Sequence, residues 1–358
     1  MGEMTTHTVL DCQDVAWFRD GPSLSASARG AAAALARRIG LNSHRSAEVA
    51  LAVTEAATNL RRHAVDGALL LRALRTDTEA AVEFLTVDSG PGMADVAASL
   101  TDGTSTGGTL GIGLGAVSRL ADHFDVHSLP GRGTAMAAQF WSRTVDAHGV
   151  SGASAAGTSV VSGLTRPISG ETTCGDAWAA RAETGAQAAG GRPALLVMMC
   201  DGLGHGPLAA RAGEAAVHAF HRTSAVDPQG IVEAVHRALV GTRGGAVAVA
   251  RVEPDAGRLT YCGIGNISGF LVGNGSRRTL LSVPGIVGVN MRRLRVFEEP
   301  LPKGGALVMH SDGLTERWDT SSMPGLLYHA PLVVAGQLLR EAGVRRDDAG
   351  VVVLKDAW

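Results

Sequence analysis

The chain has 358 residues, which is long enough for two domains of ordinary size, each with its own core. Its 32 basic and 34 acidic residues give a net charge of −2, so the balance indicates neither nucleic acid nor an anionic membrane as a partner. No apolar stretch approaches the roughly 20 residues of a bilayer span, and no secretory leader is recognisable at the N-terminus. These features predict a soluble, cytoplasmic protein.

The four cysteines contain no C-x-x-C pair and are widely spaced at Cys12, Cys174, Cys200 and Cys262. This spacing suggests neither a zinc site nor a disulfide framework. We interpret these residues as small buried hydrophobic side chains.

The first part of the chain predicts a strand over residues 9–17 and an alanine-rich helix over 24–39. A second helix, capped by Asn42 or Ser43, continues through residues 47–60. On this helix Glu55 and Asn59 are four residues apart and therefore share a face. Taken alone, the pair is better explained as the polar edge of an amphipathic helix.

Two glycine-rich turns follow this helix. A strand over residues 81–87 ends in Asp88-Ser-Gly-Pro-Gly92, and a second glycine-rich run, Gly107 to Gly115, leads into a helix at 116–121. A glycine-rich loop at the start of a helix offers free backbone N–H groups and the positive end of the helix dipole to phosphates. The order of the Glu/Asn helix and the two turns is a stronger signal for nucleotide binding than either turn alone.

These three motifs resemble the N, G1 and G2 boxes of the Bergerat-fold (GHKL) ATPases. Over about residues 8–143 the chain is most similar to the anti-sigma-factor serine kinases of the RsbT type. The resemblance implies a site for ATP with Mg²⁺, in which Glu55 is the catalytic base, Asn59 holds Mg²⁺ and Asp88 binds the adenine amino group. It also implies that the backbone approaches the nucleotide at Gly90, Gly92, Gly107, Gly108, Gly111, Gly113 and Gly115.

The second part of the chain contains several apolar runs that predict core strands, with helices at 207–222 and 227–240. We expect a domain at 1–144, a linker rich in Gly, Ser and Ala at 145–157 and a second domain at 158–358. Acidic residues stand at the strand ends, namely Asp176, Asp201, Asp312 and the pair Asp347-Asp348. Asp-Gly is also a common hairpin turn, but Asp201-Gly202 is followed by a helical sequence, which a two-residue hairpin does not explain.

Convergent carboxylates repel one another unless a cation neutralises them, and ligand sets made of oxygen suit Mg²⁺ or Mn²⁺. From about residue 158 to the end, the sequence around these acidic residues resembles the SpoIIE-type PPM (PP2C-like) serine/threonine phosphatases, and it is most similar to those of the RsbX type. The resemblance implies two Mn²⁺ or Mg²⁺ ions held by Asp176, Asp201, Asp312 and Asp347, with the backbone carbonyl of Gly202. Gly350 stands where that family usually has Thr.

Together the resemblances predict an α+β protein with an N-terminal Bergerat-type two-layer α/β sandwich and a C-terminal PPM-type α-β-β-α sandwich. They imply a bifunctional regulator of a partner-switching pathway, with STAS-domain antagonists or scaffolds as protein substrates, a sigma factor as a further partner, and a homodimer. The alternative is an N-terminal module that binds ATP and only sequesters its partner, with the phosphatase as the sole enzyme.

Overall fold

The computed structural model describes residues 11–19, 21–76, 79–101, 113–142, 159–183, 191–273, 275–291 and 293–358. The chain forms two compact units. The N-terminal unit comprises Met1–Ser159 together with Tyr328–Arg340, and the C-terminal unit comprises Val160–Leu327 together with Glu341–Trp358. Residues 328–340, which the sequence assigns to the second domain, are therefore grouped with the first.

The N-terminal unit is built on a five-stranded antiparallel sheet in the order β1-β2-β3-β5-β4. Its core is formed by apolar side chains of the first two helices packed against one face of this sheet. The strands are β1 (Asp11–Arg19), β2 (Ala68–Arg75), β3 (Ala80–Asp88), β4 (His123–Leu129) and β5 (Gly133–Trp141). The helices are α1 (Leu24–Arg38), α2 (Ser43–His63), α3 (Val96–Leu100) and α4 (Gly113–Leu120).

Helix α2 begins at a side-chain cap, because the Asn42 side chain accepts a hydrogen bond of 2.8 Å from the backbone N–H of Arg45. Val49, Val53 and Ala56 are fully or almost fully buried and repeat at helical spacing. Burial of this stripe against the sheet fixes the rotation of the helix. Glu55 and Asn59 then lie at its half-buried margin.

The C-terminal unit contains two β-sheets. The six-stranded sheet has the order β13-β10-β9-β8-β7, with β14 also paired to β10, and the five-stranded sheet has the order β12-β11-β15-β16-β6. The strands are β6 (Val161–Arg166), β7 (Asp176–Ala182), β8 (Leu195–Gly202), β9 (Gly245–Glu253), β10 (Arg258–Ile264), β11 (Ser268–Gly273), β12 (Ser276–Leu280), β13 (Ser282–Val283), β14 (Phe297–Pro300), β15 (Ala306–His310) and β16 (Ala349–Lys355).

The two sheets pack face to face. A Cβ atom at Gly163 on β6 would lie 2.8 Å from the ring of Trp178 on β7, and one at Gly350 on β16 would lie 2.2 Å from the Met199 side chain on β8. Helices α5 (Pro207–Arg222) and α6 (Pro228–Leu239) bury an apolar face against the six-stranded sheet. Both helices were predicted from the sequence, and the mixed α+β fold class with its PPM-type C-terminal arrangement is confirmed.

The segment 328–340 contains most of helix α7 (Pro331–Ala342) and contacts the N-terminal sheet. A Cβ atom at Gly336 would lie 3.0 Å from the Leu85 side chain of β3. Asp125 on β4 accepts hydrogen bonds from the backbone N–H of Ala330 at 2.6 Å and from the His329 ring at 2.7 Å. This segment thus packs against the N-terminal sheet.

Among the described helices, none is both long and apolar enough to serve as a transmembrane segment.

Candidate nucleotide and metal sites

The first candidate site lies where α2 meets the start of α4. A Cβ atom at Gly113 would be 3.4 Å from Glu55 Oε2 and 3.4 Å from both terminal atoms of the Asn59 amide. The first turn of α4 therefore lies against the two polar side chains of α2. Gly115, two residues further along α4, is buried. The predicted nucleotide contacts Gly107, Gly108 and Gly111 lie outside the described residues.

Asp88 is placed by the end of β3 and by the turn that follows it. The backbone N–H of Gly90 donates a hydrogen bond of 2.7 Å to Asp88 Oδ1, and a Cβ atom at Gly90 would lie only 2.6 Å from the His63 carbonyl oxygen at the end of α2. Burial raises the pKa of the Asp88 carboxyl, while the Gly90 N–H and the positive charge of Arg340 lower it. A half-buried carboxylate in this position can accept a hydrogen bond from an exocyclic amino group such as that of adenine.

The fit of these residues to a magnesium nucleotide follows from their donor chemistry. Asn59 offers an amide oxygen and Glu55 a carboxylate, and both are oxygen ligands of the kind that Mg²⁺ takes. Gly113 begins a helix beside them, where backbone N–H groups suit phosphate oxygens. The residues present therefore fit ATP with Mg²⁺.

Gly92 provides a test of how tightly the Asp88 turn is built. Its φ of +64° is a left-handed conformation, and a Cβ atom there would lie 2.1 Å from the Leu129 carbonyl oxygen. We expect Gly92→Ala to lower the free energy of unfolding by about 2 kcal/mol or more, because backbone strain and the steric clash add. Urea unfolding of wild type and variant measures this difference. Gly131→Ala is the matched control, since Gly131 also has positive φ but open space around its Cβ direction; equal losses would contradict the steric account.

The second candidate site is formed by carboxylates at the ends of strands of the C-terminal unit. Asp176 at the start of β7 pairs directly with Asp201 on β8 in the six-stranded sheet. Asp312 follows β15, and Asp347 stands two residues before β16, in the five-stranded sheet. The strand-end positions predicted from the sequence are therefore observed.

Burial and mutual repulsion raise the pKa values of three of these carboxylates. Burial and repulsion by the Asp312 carboxylate raise the pKa of Asp201 from 3.8 to about 7. Burial and repulsion by the Asp201 carboxylate raise the pKa of Asp176 well above its ordinary value, and burial and Asp312 raise that of Asp347. Fixed polar partners hold Asp176 in place, because the Ser311 hydroxyl donates a hydrogen bond to Asp176 Oδ2.

The structure separates the roles of the two adjacent residues Asp347 and Asp348. Both carboxylate oxygens of Asp348 accept backbone N–H groups, from Ile168 at 2.7 Å and from Gly175 at 2.6 Å, and the side chain is buried. Asp347 is exposed. This difference supports Asp347 as the ligand and Asp348 as the residue that fixes the loop before Asp176.

The glycines of this site are required by close packing. A Cβ atom at Gly202 would lie 2.5 Å from the Ala209 carbonyl oxygen, and the Gly202 N–H donates to the Gly175 carbonyl at 3.2 Å. A Cβ atom at Gly350 would lie 2.2 Å from the terminal methyl of Met199 and 3.1 Å from Asp176 Cβ, so a side chain there would require Met199 to move. The Gly350 N–H donates to the Ser311 hydroxyl at 3.0 Å, so the backbone is held by Ser311.

The clustered carboxylates of the C-terminal unit fit divalent cations by their charge and by their oxygen ligands. Within the described ranges, no three His, Cys, Asp and Glu side chains are already arranged around a common ligand position. Asp201 Oδ2 and Asp312 Oδ2 instead accept hydrogen bonds from the same nitrogen, Asn266 Nδ2, at 3.2 and 2.6 Å. A donor group thus bridges two carboxylates from different sheets, and a cation would satisfy the same oxygens. The residues fit divalent cations with oxygen ligands.

The raised pKa of Asp201 predicts how stability depends on pH without metal. The pKa of Asp201 is about 7 in the folded protein and near its ordinary value of 3.8 in the unfolded chain. Between about pH 4 and 7 the folded state therefore binds more protons than the unfolded state. Stability in EDTA should therefore fall as the pH rises from about 4 to 7. Thermal unfolding in EDTA across this range measures the slope. Asp201→Asn is the control and should give a shallower slope; an unchanged slope would contradict the assignment.

The sequence alone did not predict several residues of the second site. Asn266, Ser311 and Asp348 were given no role there. His310 was also missed: it is fully buried, accepts a hydrogen bond of 3.2 Å from the Trp318 indole and contacts the Ser311 carbonyl, so it supports the loop that carries Asp312. A polar residue within an otherwise apolar strand was the signal available for His310.

Comparisons with known proteins give one match in each part of the chain, and the second match includes residues 328–340. Residues 19–140 match the family described as histidine kinase-like ATPase domain, and residues 191–355 match the family described as stage II sporulation protein E (SpoIIE). The serine/threonine-protein kinase RsbT of Bacillus subtilis (strain 168) is 32% identical over 109 residues, which cover 30% of this chain and 82% of RsbT. The phosphoserine phosphatase RsbX of the same organism is 24% identical over 147 residues, covering 40% of this chain and 69% of RsbX.

A solved structure from work on the bacterial stressosome, as a modular system adapted to control secondary messenger signaling, is also similar. It shows 30% identity and a TM-score of 0.48, and the match covers 55% of this chain and 98% of that one. The chain belongs to the histidine kinase-like ATPases in its N-terminal part and to the SpoIIE-type phosphatases in its C-terminal part. More particularly, it is a fusion of a relative of the kinase RsbT with a relative of the phosphatase RsbX.

Proposed function

We propose that the protein is a bifunctional regulator of a partner-switching pathway, with an ATP-dependent serine/threonine kinase and a metal-dependent phosphoserine/phosphothreonine phosphatase in one chain. The observation that carries the kinase assignment is that a Cβ atom added at Gly113 would lie 3.4 Å from the side chains of both Glu55 and Asn59. The base and the ligand for Mg²⁺ thus face the start of one helix. This arrangement favours phosphotransfer over the alternative of a module that only sequesters its partner, because sequestration does not require a base.

In the kinase reaction, ATP with Mg²⁺ supplies the phosphoryl group. Asn59 would hold Mg²⁺ through its amide oxygen, and Asp88 would accept a hydrogen bond from the adenine amino group. Glu55 would accept the proton of the serine or threonine hydroxyl that attacks the phosphoryl group. The chain therefore contributes positioning and one proton acceptor, which is what phosphoryl transfer needs from a protein.

In the phosphatase reaction, a pair of Mn²⁺ or Mg²⁺ ions, when bound, would supply an activated water for attack on the phosphate ester. Asp176, Asp201, Asp312 and Asp347 would hold these ions together with the Gly202 carbonyl. Ser311 orients Asp176 by its hydrogen bond, and Asp348 fixes the adjacent loop through its two backbone contacts. Residues that support the ligands in this way keep the carboxylates in place despite their mutual repulsion.

The substrates that we propose are STAS-domain antagonists or scaffolds, with a sigma factor as the protein released or captured. Two opposed activities on one residue would hydrolyse ATP without net effect, so we expect the kinase and the phosphatase to act on different phosphosites or to be controlled reciprocally. A homodimer is the assembly proposed for the kinase part. These proposals rest on the resemblance to the RsbT and RsbX families.

The experiment that tests the function is phosphosite mapping on STAS-domain proteins of the same host, incubated with the full chain, ATP and Mg²⁺ or Mn²⁺. Sites that gain phosphate should depend on Glu55, and sites that lose phosphate should depend on Asp312. If wild type binds ATP but phosphorylates no STAS-domain protein, the sequestering alternative is correct. Equal and simultaneous turnover of one site by both activities would contradict the proposed division.

A further inference from the structure

Asn266 lies in the short connection between the two sheets of the C-terminal unit. Strand β10 belongs to the six-stranded sheet and β11 to the five-stranded sheet, and residues 265–267 join them. The same end of the unit carries Asp201, near the end of β8, and Asp312, just after β15. Asn266 is therefore placed between carboxylates that come from different sheets.

The backbone on both sides of Asn266 is fixed, although its side chain is exposed. Gly265 has a φ of +89°, and a Cβ atom there would lie 2.5 Å from the Ala246 side chain. Ile267 is buried, and its carbonyl accepts a hydrogen bond of 3.0 Å from the Ser282 hydroxyl. A change of partner by Asn266 can therefore occur through rotation of its side chain, without movement of the strands.

The amide of Asn266 makes two hydrogen bonds in the structure. Nδ2 donates to Asp312 Oδ2 at 2.6 Å and to Asp201 Oδ2 at 3.2 Å. Ionised carboxylates accept and do not donate, so the NH₂ end of the amide is the end that faces them. One neutral side chain thus offsets part of the repulsion between the two acidic groups.

The same two carboxylates are the ones proposed to hold divalent cations. A cation of the Mg²⁺ type binds carboxylate oxygens at about 2.0–2.1 Å. The positive edge of the Asn266 NH₂ group would then face the cation and be repelled by it. A cation bound on the side that now faces Nδ2 therefore competes with Asn266 for these oxygens, and once Asn266 is displaced its two N–H donors become available at this exposed position.

We propose that Asn266 holds Asp201 and Asp312 together before metal binds and, after metal binding, donates a hydrogen bond to a phosphoryl oxygen of the substrate. This inference rests on the proposed phosphatase function. Phosphoryl oxygens are acceptors, and a neutral amide donor can bind them without adding charge beside the cations. In the metal-free site Asn266 competes with the metal for the carboxylates, and in the metal-bound site it binds the substrate.

The test compares the full chain with its Asn266→Ala variant. After removal of metal with EDTA and dialysis, Mn²⁺ affinity is measured by isothermal titration calorimetry. We expect Asn266→Ala to bind Mn²⁺ roughly tenfold more tightly, because hydrogen bonds to charged groups no longer have to be broken. In saturating Mn²⁺, inhibition of p-nitrophenyl phosphate hydrolysis by inorganic phosphate should be roughly tenfold weaker, because one donor to the phosphoryl oxygens is lost.

Ser268→Ala is the matched control, since Ser268 lies beside the same connection and bonds to Glu316 rather than to Asp201 or Asp312. It should leave both constants unchanged, and thermal unfolding should show that both variants are folded. Mn²⁺ affinity in Asn266→Ala that is equal to or weaker than that of wild type overturns the inference, as does unchanged phosphate inhibition. If wild type itself binds no Mn²⁺, the phosphatase function and the inference both fail.

Discussion

The Asp312→Asn variant should lose metal-dependent phosphatase activity by about a thousandfold or more. Asn keeps the shape of Asp but removes the charge that a divalent cation requires of this ligand. A thousandfold loss of rate corresponds to several kcal/mol of lost transition-state stabilisation, because each 1.4 kcal/mol changes the rate about tenfold. Hydrolysis of p-nitrophenyl phosphate in Mn²⁺ measures the effect.

Two controls separate loss of the metal site from loss of folding. Asp319→Asn carries the same chemical change seven positions along the chain, in a carboxylate that bonds to Ser321 and lies outside the proposed site, and should keep its activity. ATP binding by Asp312→Asn should equal that of wild type, because the nucleotide site belongs to the N-terminal unit. Full phosphatase activity of Asp312→Asn would remove the basis of the proposed metal site.

The Glu55→Ala variant should bind ATP with nearly wild-type affinity but transfer phosphate about 10²–10⁴-fold more slowly. This range is the usual contribution of a positioned base to proton transfer. Asn59→Ala should instead weaken the binding of ATP in the presence of Mg²⁺, because the ligand to the metal is removed. Transfer from radiolabelled ATP to a STAS-domain protein, together with calorimetric ATP binding, distinguishes the two effects.

Thr58→Ala is the matched control for these two variants. Thr58 is on the same helix, and its hydroxyl bonds to the Thr54 carbonyl within that helix. It should retain both nucleotide binding and phosphotransfer. If Glu55→Ala transfers phosphate as fast as wild type, Glu55 is not the base, and the sequestering alternative or a different acceptor must be considered.

Local spacing was sufficient to predict many elements that carry the sites. The four-residue separation of Glu55 and Asn59 placed both on one face of α2, and the Ala-rich sequence after Asp201-Gly202 predicted α5 at the observed residues. Apolar runs ending in acidic residues predicted the strand-end positions of Asp201 and Asp312. In each case the residue pattern lies within one helix or strand, so the element can be predicted without knowing which distant residues it contacts.

Other elements depend on distant partners and were not predicted. Strand β2 (Ala68–Arg75) is rich in Leu, Ala and Arg, which favour helices, and it becomes a strand by pairing with β1 and β3. Asn266 looks like an ordinary turn residue in a glycine-rich sequence. Its contacts with Asp201 and Asp312 follow from the meeting of two sheets, which the order of residues along the chain does not specify.

The assignment of residues 328–340 to the N-terminal unit has a consequence for how the gene can be divided. These residues lie between the sequences that carry Asp312 and Asp347, so a break at the linker would leave them on the wrong fragment. A polypeptide ending at residue 144 would lack the partners of Asp125, and its counterpart would carry an apolar helix without Leu85 to pack against. Division of the chain between residues 142 and 159 would therefore expose the apolar face of α7 that packs against Leu85.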